Sequence, residues 1–288
     1  MVPRLFVSGA LQDGQNIDLP SDQVHYLKDV LRKTVGADIL VFNGRDGEFQ
    51  ATVDTLSKRS GTITIGQQTR RQRQSPNLTL AFAPVKRNAV ATIIQKGTEL
   101  GVIRFIPVLT ARTNADRVRT DRLSLIAREA AEQCGRLSVP KVDVAIKLSA
   151  FLHRQSEAGQ LIFCDEAGDD QDAPWGGPDG RALPMLRALT NSSGSQSVDV
   201  EAADSDIATD TEPEVSSSSR SDPASAPTTI LIGPEGGFSP VERLVLRSGN
   251  NVIPVTLGPR ILRSDTAAIT AISLWQAAYG DLRKTSDP

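Results

Sequence analysis

The chain has 288 residues, with 32 Lys and Arg against 34 Asp and Glu, and 39% hydrophobic residues, enough for one large or two ordinary domains with real cores. No apolar run approaches the ~20 residues of a membrane span, and Met1-Val-Pro-Arg-Leu-Phe6 lacks the apolar core of a signal peptide. Cys134 and Cys164 stand alone without metal-ligand spacing, which argues against a zinc site and for a reducing, cytoplasmic setting in which each is a small buried hydrophobe.

The net charge of −2 conceals a division. Asn191 to Pro227 holds eight acids against one base, Arg220, a charge of −7 that leaves +5 for the rest of the chain. Between Thr55 and Thr98 there are eight Lys or Arg and no acid. Such a strip is either a solvated face or a surface for phosphate backbones.

Residues 1–74 read as β-rich. Pro20-Ser21-Asp22 starts a short helix with Val24, Leu27 and Leu31 at helical spacing. Ile39–Phe42, the turn Asn43–Gly47 and Phe49–Leu56 read as a hairpin, and Thr62–Ile65 as a further strand. Several short strands and one helix suit a small barrel. His25 is either a helix-surface residue or a group that stacks on or hydrogen-bonds RNA. Arg70-Arg71-Gln-Arg73-Gln-Ser-Pro76 is a polar, basic connector and the best domain boundary, either a solvated linker or a clamp on RNA.

A second domain, 75–288, begins with the strand Leu78–Phe82. A helix carrying Val90, Ile93, Ile94 and Gly97 on one face ends at Gly101, before the strand Val102–Leu109. A helix from Asp121 to Cys134 turns Leu123, Ala127, Ala130 and Cys134 inward, with Arg128–Glu132 and Glu132–Arg136 as i,i+4 pairs. Strands follow at Val142–Ile146 and Leu161–Cys164, with a helix near Ser149–Gln155 between them. Repeated strand–helix units predict a mostly parallel sheet. Asp165 and Glu166, at a strand end, are loop carboxylates or catalytic acids. Residues 190–227 are acidic and rich in Ser, Asp, Ala and Thr, and are expected to be a disordered insertion between two strands.

The last fifty residues hold two copies of one arrangement. Thr229-Ile-Leu-Ile232 is followed by Gly233-Pro234-Glu235-Gly236-Gly237, then by a helix start in which Ser239 caps, Pro240 opens and Glu242 closes a capping box. Val252 to Leu257 is followed by Gly258-Pro259-Arg260-Ile261-Leu262-Arg263, then by a helix Thr266–Ala278 capped by Ser264 or Asp265. Ala268, Ile272 and Trp275 mark that helix's inner face. Neither bend is a known nucleotide fingerprint. Both are either tight turns or a ligand pocket at the C-terminal ends of parallel strands.

Ile232-Gly-Pro-Glu-Gly-Gly-Phe-Ser239 and Leu257-Gly-Pro-Arg-Ile-Leu-Arg-Ser-Asp-Thr-Ala-Ala268 resemble the signature of the RsmE family, SPOUT-class methyltransferases that act on N3 of a uridine near the decoding region of small-subunit rRNA. Glu is frequent in that family where this chain has Asp265, which keeps the carboxylate and shortens its reach. His25 to Arg32 with Gly36, Lys86 with Lys96-Gly-Thr-Glu-Leu-Gly101, and Glu132-Gln133-Cys-Gly-Arg136 are similar to further family patterns. The resemblance implies an α/β protein: a PUA-like RNA-binding β-barrel over 1–74, then a SPOUT domain with a parallel sheet and a trefoil knot, working as a homodimer. It implies S-adenosylmethionine against Ile232, Gly233, Pro234, Glu235, Gly236, Leu257, Gly258, Ile261, Leu262 and Arg263, with Arg263, Asp265 and Glu235 as catalytic residues and no metal. It implies 16S rRNA, presented in a ribonucleoprotein particle, as the partner of His25, Arg32, Arg70, Arg71, Arg73, Lys86, Arg87 and Arg136. Two other readings are a SPOUT enzyme acting on tRNA or on a ribose 2′-hydroxyl, and a non-catalytic RNA-binding module. Binding of S-adenosylmethionine separates the last from the enzymes.

Overall fold

The computed structural model describes residues 2–113, 118–155, 159–165, 182–191 and 227–283. Residues 192–226 of the acidic stretch, and Glu166, lie outside the described residues.

The N-terminal unit is one curled sheet of β1 (Arg4–Phe6), β2 (Asn16–Leu19), β3 (Asp38–Phe42), β4 (Glu48–Leu56) and β5 (Gly61–Arg70), in the order β1-β3-β4-β5-β2. Only the β1–β3 pairing is parallel. Alternating residues turn inward, so Ile39, Val41, Ala51, Val53, Ile63 and Ile65 from three strands share one core. Bulges between Glu48 and Thr55 bend β4 around it. The barrel is plugged by α1 (Ser21–His25), which passes directly into a π-helical turn over Tyr26–Val30. Val24 and Leu27 from this segment are fully buried.

The α/β unit runs β6 (Leu78–Phe82), α2 (Arg87–Glu99), β7 (Arg104–Leu109), α3 (Thr120–Cys134), β8 (Lys141–Val142), β9 (Ile146–Lys147), α4 (Leu148–Gln155), β10 (Gln160–Cys164), β11 (Leu183–Pro184), α5 (Met185–Asn191), β12 (Thr228–Ile232), α6 (Pro240–Arg247), β13 (Val252–Thr256) and α7 (Ser264–Tyr279). The sheet order is β11-β13-β10-β12-β6-β7-β8, with β9 also on β7, and every pairing is parallel. β12 is central and buried at all five positions, as an unalternated apolar run requires. Ile230 and Ile232 meet α2, α3, α5 and α7 on one face, while Leu231 meets α4 and α6 on the other. Trp275 is wholly buried, and the Tyr279 hydroxyl donates to the Leu189 carbonyl, tying α7 to α5.

Several local features differ from the sequence expectation. The expected strand Val142–Ile146 is broken into β8 and β9, because Asp143 turns its carboxylate to Arg104 and Lys141. β11 and α5 occupy 183–191, where the sequence signalled only a change of character; Met185, Ala188 and Leu189 bury their side chains there. Cys164 is buried, but Cys134 is exposed at the end of α3. The pairs expected along α3 do not form as written: Glu132 accepts from the Phe6 amide at 2.9 Å, and Arg128 reaches Asp22 at 3.4 Å.

Those residues belong to the joint between the two units. Arg4 donates to the carbonyls of Ala131, Glu132 and Arg136, and Arg70 to that of Gly135, so two barrel cations sit on the unpaired C-terminal carbonyls of α3. Buried Glu48 holds both guanidiniums, at 2.6 Å from each. Its burial pushes its pKa up, but the hydrogen bonds from Arg70 and Arg4 outweigh this and leave it below the ordinary glutamate value. Arg136 repeats the device one helix on. Its guanidinium donates to the carbonyls of Thr98 and Val102 at the end of α2, and burial lowers its pKa to about 10.

Candidate active site

The segments after β6, β7, β12 and β13 come together at the C-terminal edge of the sheet, the position where open parallel sheets place ligands. β12 leads into the first glycine–proline bend. Phe238 seals it from below, its ring 2.7 Å from where a Cβ on Gly233 would stand and edge-on to Phe163. The capping box forms as the sequence predicts: Ser239 Oγ accepts from the Glu242 amide, and Glu242 accepts from the Ser239 amide. Such a cap contributes roughly 1 kcal/mol.

β13 leads into the second bend. β10 lies between β13 and β12 in the sheet, so residues 257–263 must cross over it to start α7 beside β12. Helix α7 starts two residues earlier than expected, and its N-cap is Arg263, with no side-chain cap. Ser264 is instead a buried tie, its Oγ donating to the Gly233 carbonyl at 3.3 Å. Asp265 stands in the first turn, where its charge complements the helix dipole.

The two bends meet over the start of α2. Between them lies a cleft of about 680 Å³ lined by Lys86, Arg87, Asn88, Glu235, Ile261, Leu262, Arg263, Ser264 and Asp265, among others. Among the described residues, the side chains of Lys86, Arg87, Glu235 and Arg263 make no hydrogen bond or ion pair. Three cations and two carboxylates thus face one solvent-filled space. Helix α2 begins without a side-chain cap and without an acid in its first turn, an arrangement that favours an anion opposite it.

The remaining expected site residues fall in three places. Ile232 is core, and its carbonyl is taken by the Ala83 amide. Pro234, Gly236, Leu257 and Gly258 build the bends without lining the cleft. On the barrel, His25 is exposed and bonded to Asp29 at 2.6 Å, and Arg32 is exposed in a left-handed conformation, φ 52°. Arg71 and Arg73 are exposed between the units. Arg70 and Arg136 both have partners within the protein: Arg70, still partly exposed, bonds Glu48 and the Gly135 carbonyl, and Arg136 is folded onto the end of α2. Asp165, left between two readings by the sequence, is buried under α6 with Arg243 at 3.0 Å and Arg247 at 2.8 Å. Arg112, which no motif signalled, reaches the first bend from the turn after β7.

Fold and cleft define the class of protein, and the comparisons agree. Residues 19–66 match the family described as RNA methyltransferase PUA domain, and residues 72–176 and 188–276 the family described as RNA methyltransferase domain. The chain is 30% identical over 271 residues to ribosomal RNA small subunit methyltransferase E of Rickettsia conorii, covering 94% of this chain and 93% of that protein. It is 25% identical to the Bacillus subtilis protein of the same name, over 91% and 90% of the two chains. Among solved structures, a Legionella pneumophila protein with the cofactor SAM bound superposes with a TM-score of 0.71 at 28% identity, covering 98% of this chain and 99% of that one. Ribosomal RNA small subunit methyltransferase E of Neisseria gonorrhoeae, bound to S-adenosyl methionine, gives 0.71 at 25% identity with the same coverage. The chain belongs to the ribosomal RNA small subunit methyltransferase E (RsmE) family of RNA methyltransferases.

Proposed function

We propose that this protein transfers the methyl group of S-adenosylmethionine to N3 of a uridine near the decoding region of 16S rRNA. The observation that carries the reading is the convergence of both glycine–proline bends on one cleft of unpaired charge. The residues present fit such a cofactor. Gly258 adopts φ 115°, a conformation that disfavours any side chain, and nothing lies within 4 Å of where its Cβ would be; the same holds for Gly237. Of the residues to hold it, Glu235, Ile261, Leu262 and Arg263 line the cleft, while Gly233, Pro234, Gly236, Leu257 and Gly258 shape the two bends around it, with Ile232 beneath them. When bound, S-adenosylmethionine supplies an electrophilic methyl carbon on a sulfonium.

Uridine N3 carries a proton and is a poor nucleophile until it is lost. Glu235 and Asp265 are the cleft carboxylates to accept that proton, and Arg263 is the cation to hold the charge that then spreads onto the uracil oxygens. Aligning the two reactants is the remainder of the work, and no covalent enzyme intermediate is required. Lys86 and Arg87 face the same space, so they serve the target nucleotide rather than a distant phosphate.

The barrel of residues 1–74 then grips flanking rRNA through Arg32, Arg71, Arg73 and His25, while 75–288 carries out the chemistry. The target must be presented unstacked, as in a ribonucleoprotein particle. The crossing of 257–263 over β10 is the place for the knot. The outer face of α6 exposes Val241, Leu244 and Val245 at i, i+3 and i+4, an apolar stripe suited to a second copy of the chain. No helix among the described residues is long and apolar enough to cross a membrane, and a cytoplasmic location follows from the rRNA substrate.

The test is mass spectrometry of rRNA nucleosides after the full chain is incubated with small-subunit particles and S-adenosylmethionine. 3-Methyluridine is the expected product. Methylation of a ribose hydroxyl, or of tRNA alone, would overturn the assignment.

A further inference from the structure

The first bend is held by three bonds, one of its own and one from each of two other parts of the fold. Ser264 of α7 donates to the Gly233 carbonyl. Within the bend, the Gly237 amide donates to the Pro234 carbonyl at 2.8 Å. From outside, Arg112 Nη1 donates to the Gly236 carbonyl at 2.7 Å. The last two bonds act on one peptide unit, since the Gly236 carbonyl and the Gly237 amide share a plane. That plane is therefore gripped at both ends. Without the outer grip, two successive glycines leave it the freest peptide in the bend.

Arg112 is itself fixed. Its Cβ and Cδ lie 3.8 and 3.7 Å from where a Cβ on Gly236 would be, so its stem lies along the bend. The turn that carries it is closed by the Thr110 amide on Thr113 Oγ1, at 2.8 Å, and by the Thr113 amide on the Thr110 carbonyl. The neighbouring Ala111 amide donates at 2.7 Å to Glu242 Oε1, while Oε2 of the same carboxylate receives the Ser239 amide. One turn at the end of β7 thus holds both the glycine bend and the helix start that follows it. None of this chemistry serves the packing of the turn: Arg112 is exposed, and a lysine, alanine or serine would leave the core untouched.

We propose that Arg112 is a positioning residue for the cofactor-binding bend, fixing the Gly236–Gly237 peptide so that the bend is already in its binding shape before the cofactor arrives. This rests on the reading that the bend holds S-adenosylmethionine. Pre-organisation of this kind raises affinity by removing an ordering cost at binding. It acts on the bound cofactor's affinity rather than on the chemical step.

The experiment compares wild type, Arg112→Ala and Arg112→Lys in the full chain. Hydrogen exchange of the segment 233–238, measured without ligand, should speed up by about tenfold in Arg112→Ala, the loss of one charged hydrogen bond. KM for S-adenosylmethionine should rise by a similar factor, with kcat at saturating cofactor and the unfolding midpoint unchanged. Arg112→Lys, which keeps one donor, should recover part of both effects. Unchanged exchange overturns the proposal, as does a fall in kcat without a change in KM, which would assign Arg112 to the RNA. If wild type binds no S-adenosylmethionine by calorimetry yet exchange still accelerates in the alanine variant, the bracing stands and only the cofactor reading falls.

Discussion

Ser264 Oγ donates to the carbonyl of Gly233 across 3.3 Å, and through that bond the chain after β13 is fastened to the chain after β12. Thirty-one residues apart in sequence, the two form one wall of the cleft. Ser264→Ala should weaken S-adenosylmethionine binding by about fivefold, the worth of one neutral hydrogen bond of roughly 1 kcal/mol, as isothermal titration would read it. Ser264→Val, which also crowds a buried position, should be worse.

Arg263 lines the cleft as the N-cap of α7 but satisfies none of that helix's amides with its side chain. Arg263→Ala keeps the backbone that lies against the cofactor, so folding and cofactor affinity should stay close to wild type. Methylation of small-subunit particles should fall by about 10² to 10³, the range for loss of a group that stabilises developing charge. Full activity in this variant would remove Arg263 from the chemistry.

Arg136 gives the opposite expectation. Its guanidinium serves the carbonyls of Thr98 and Val102, so Arg136→Ala leaves two acceptors without their donor. Stability should drop by about 2 to 3 kcal/mol, measured by urea unfolding. Affinity for rRNA, measured on the folded fraction, should not change.

How far the sequence reveals this molecule depends on the range over which each signal acts. The capping box at Ser239–Glu242 and the central strand expected over Thr229–Ile232 follow from neighbours in sequence; the box forms as read, and the strand forms one residue longer, from Thr228. The cleft residues Glu235 and Arg263 were legible through two motifs that only the fold brings together. The partners of Arg70 and Arg136 carry no local signal, because a basic residue near the surface looks the same whether it meets a phosphate or a helix end thirty or more residues away. Glu132 shows the same limit: read as half of an i,i+4 pair, it spends its carboxylate on the amide of Phe6 in the other domain. Arg112 carried no local signal, since its partner Gly236 lies 124 positions on.

Arg32 holds a left-handed backbone conformation that glycine would adopt freely, at a cost to any other residue of about 1 kcal/mol or more. Its side chain is exposed and makes no bond among the described residues. Arg32→Gly should leave the unfolding midpoint unchanged or raise it, while rRNA affinity falls and the slope of its salt dependence drops by about one. A filter-binding titration across salt concentrations checks this.

Glu48 sets the acid limit of the joint. Its pKa is lower in the folded chain than in the unfolded one, so the unfolded state takes up the proton first. The stability it contributes is present above the ordinary glutamate range, about 4.3, and is lost as pH falls through the folded value. Glu48→Gln should flatten the decline of the unfolding midpoint below that range. Glu48→Ala should destabilise at neutral pH by about 3 kcal/mol, because two guanidiniums lose their counter-charge.

Arg4 and Arg70, laid across the end of α3, make the barrel a continuation of the sheet domain rather than a tethered appendage. Whatever strand the barrel seizes is thereby held at a set span from the cleft, as between the jaws of a caliper. If the barrel grips rRNA as proposed, the target nucleotide is selected by distance along the folded RNA, with little need to read its sequence.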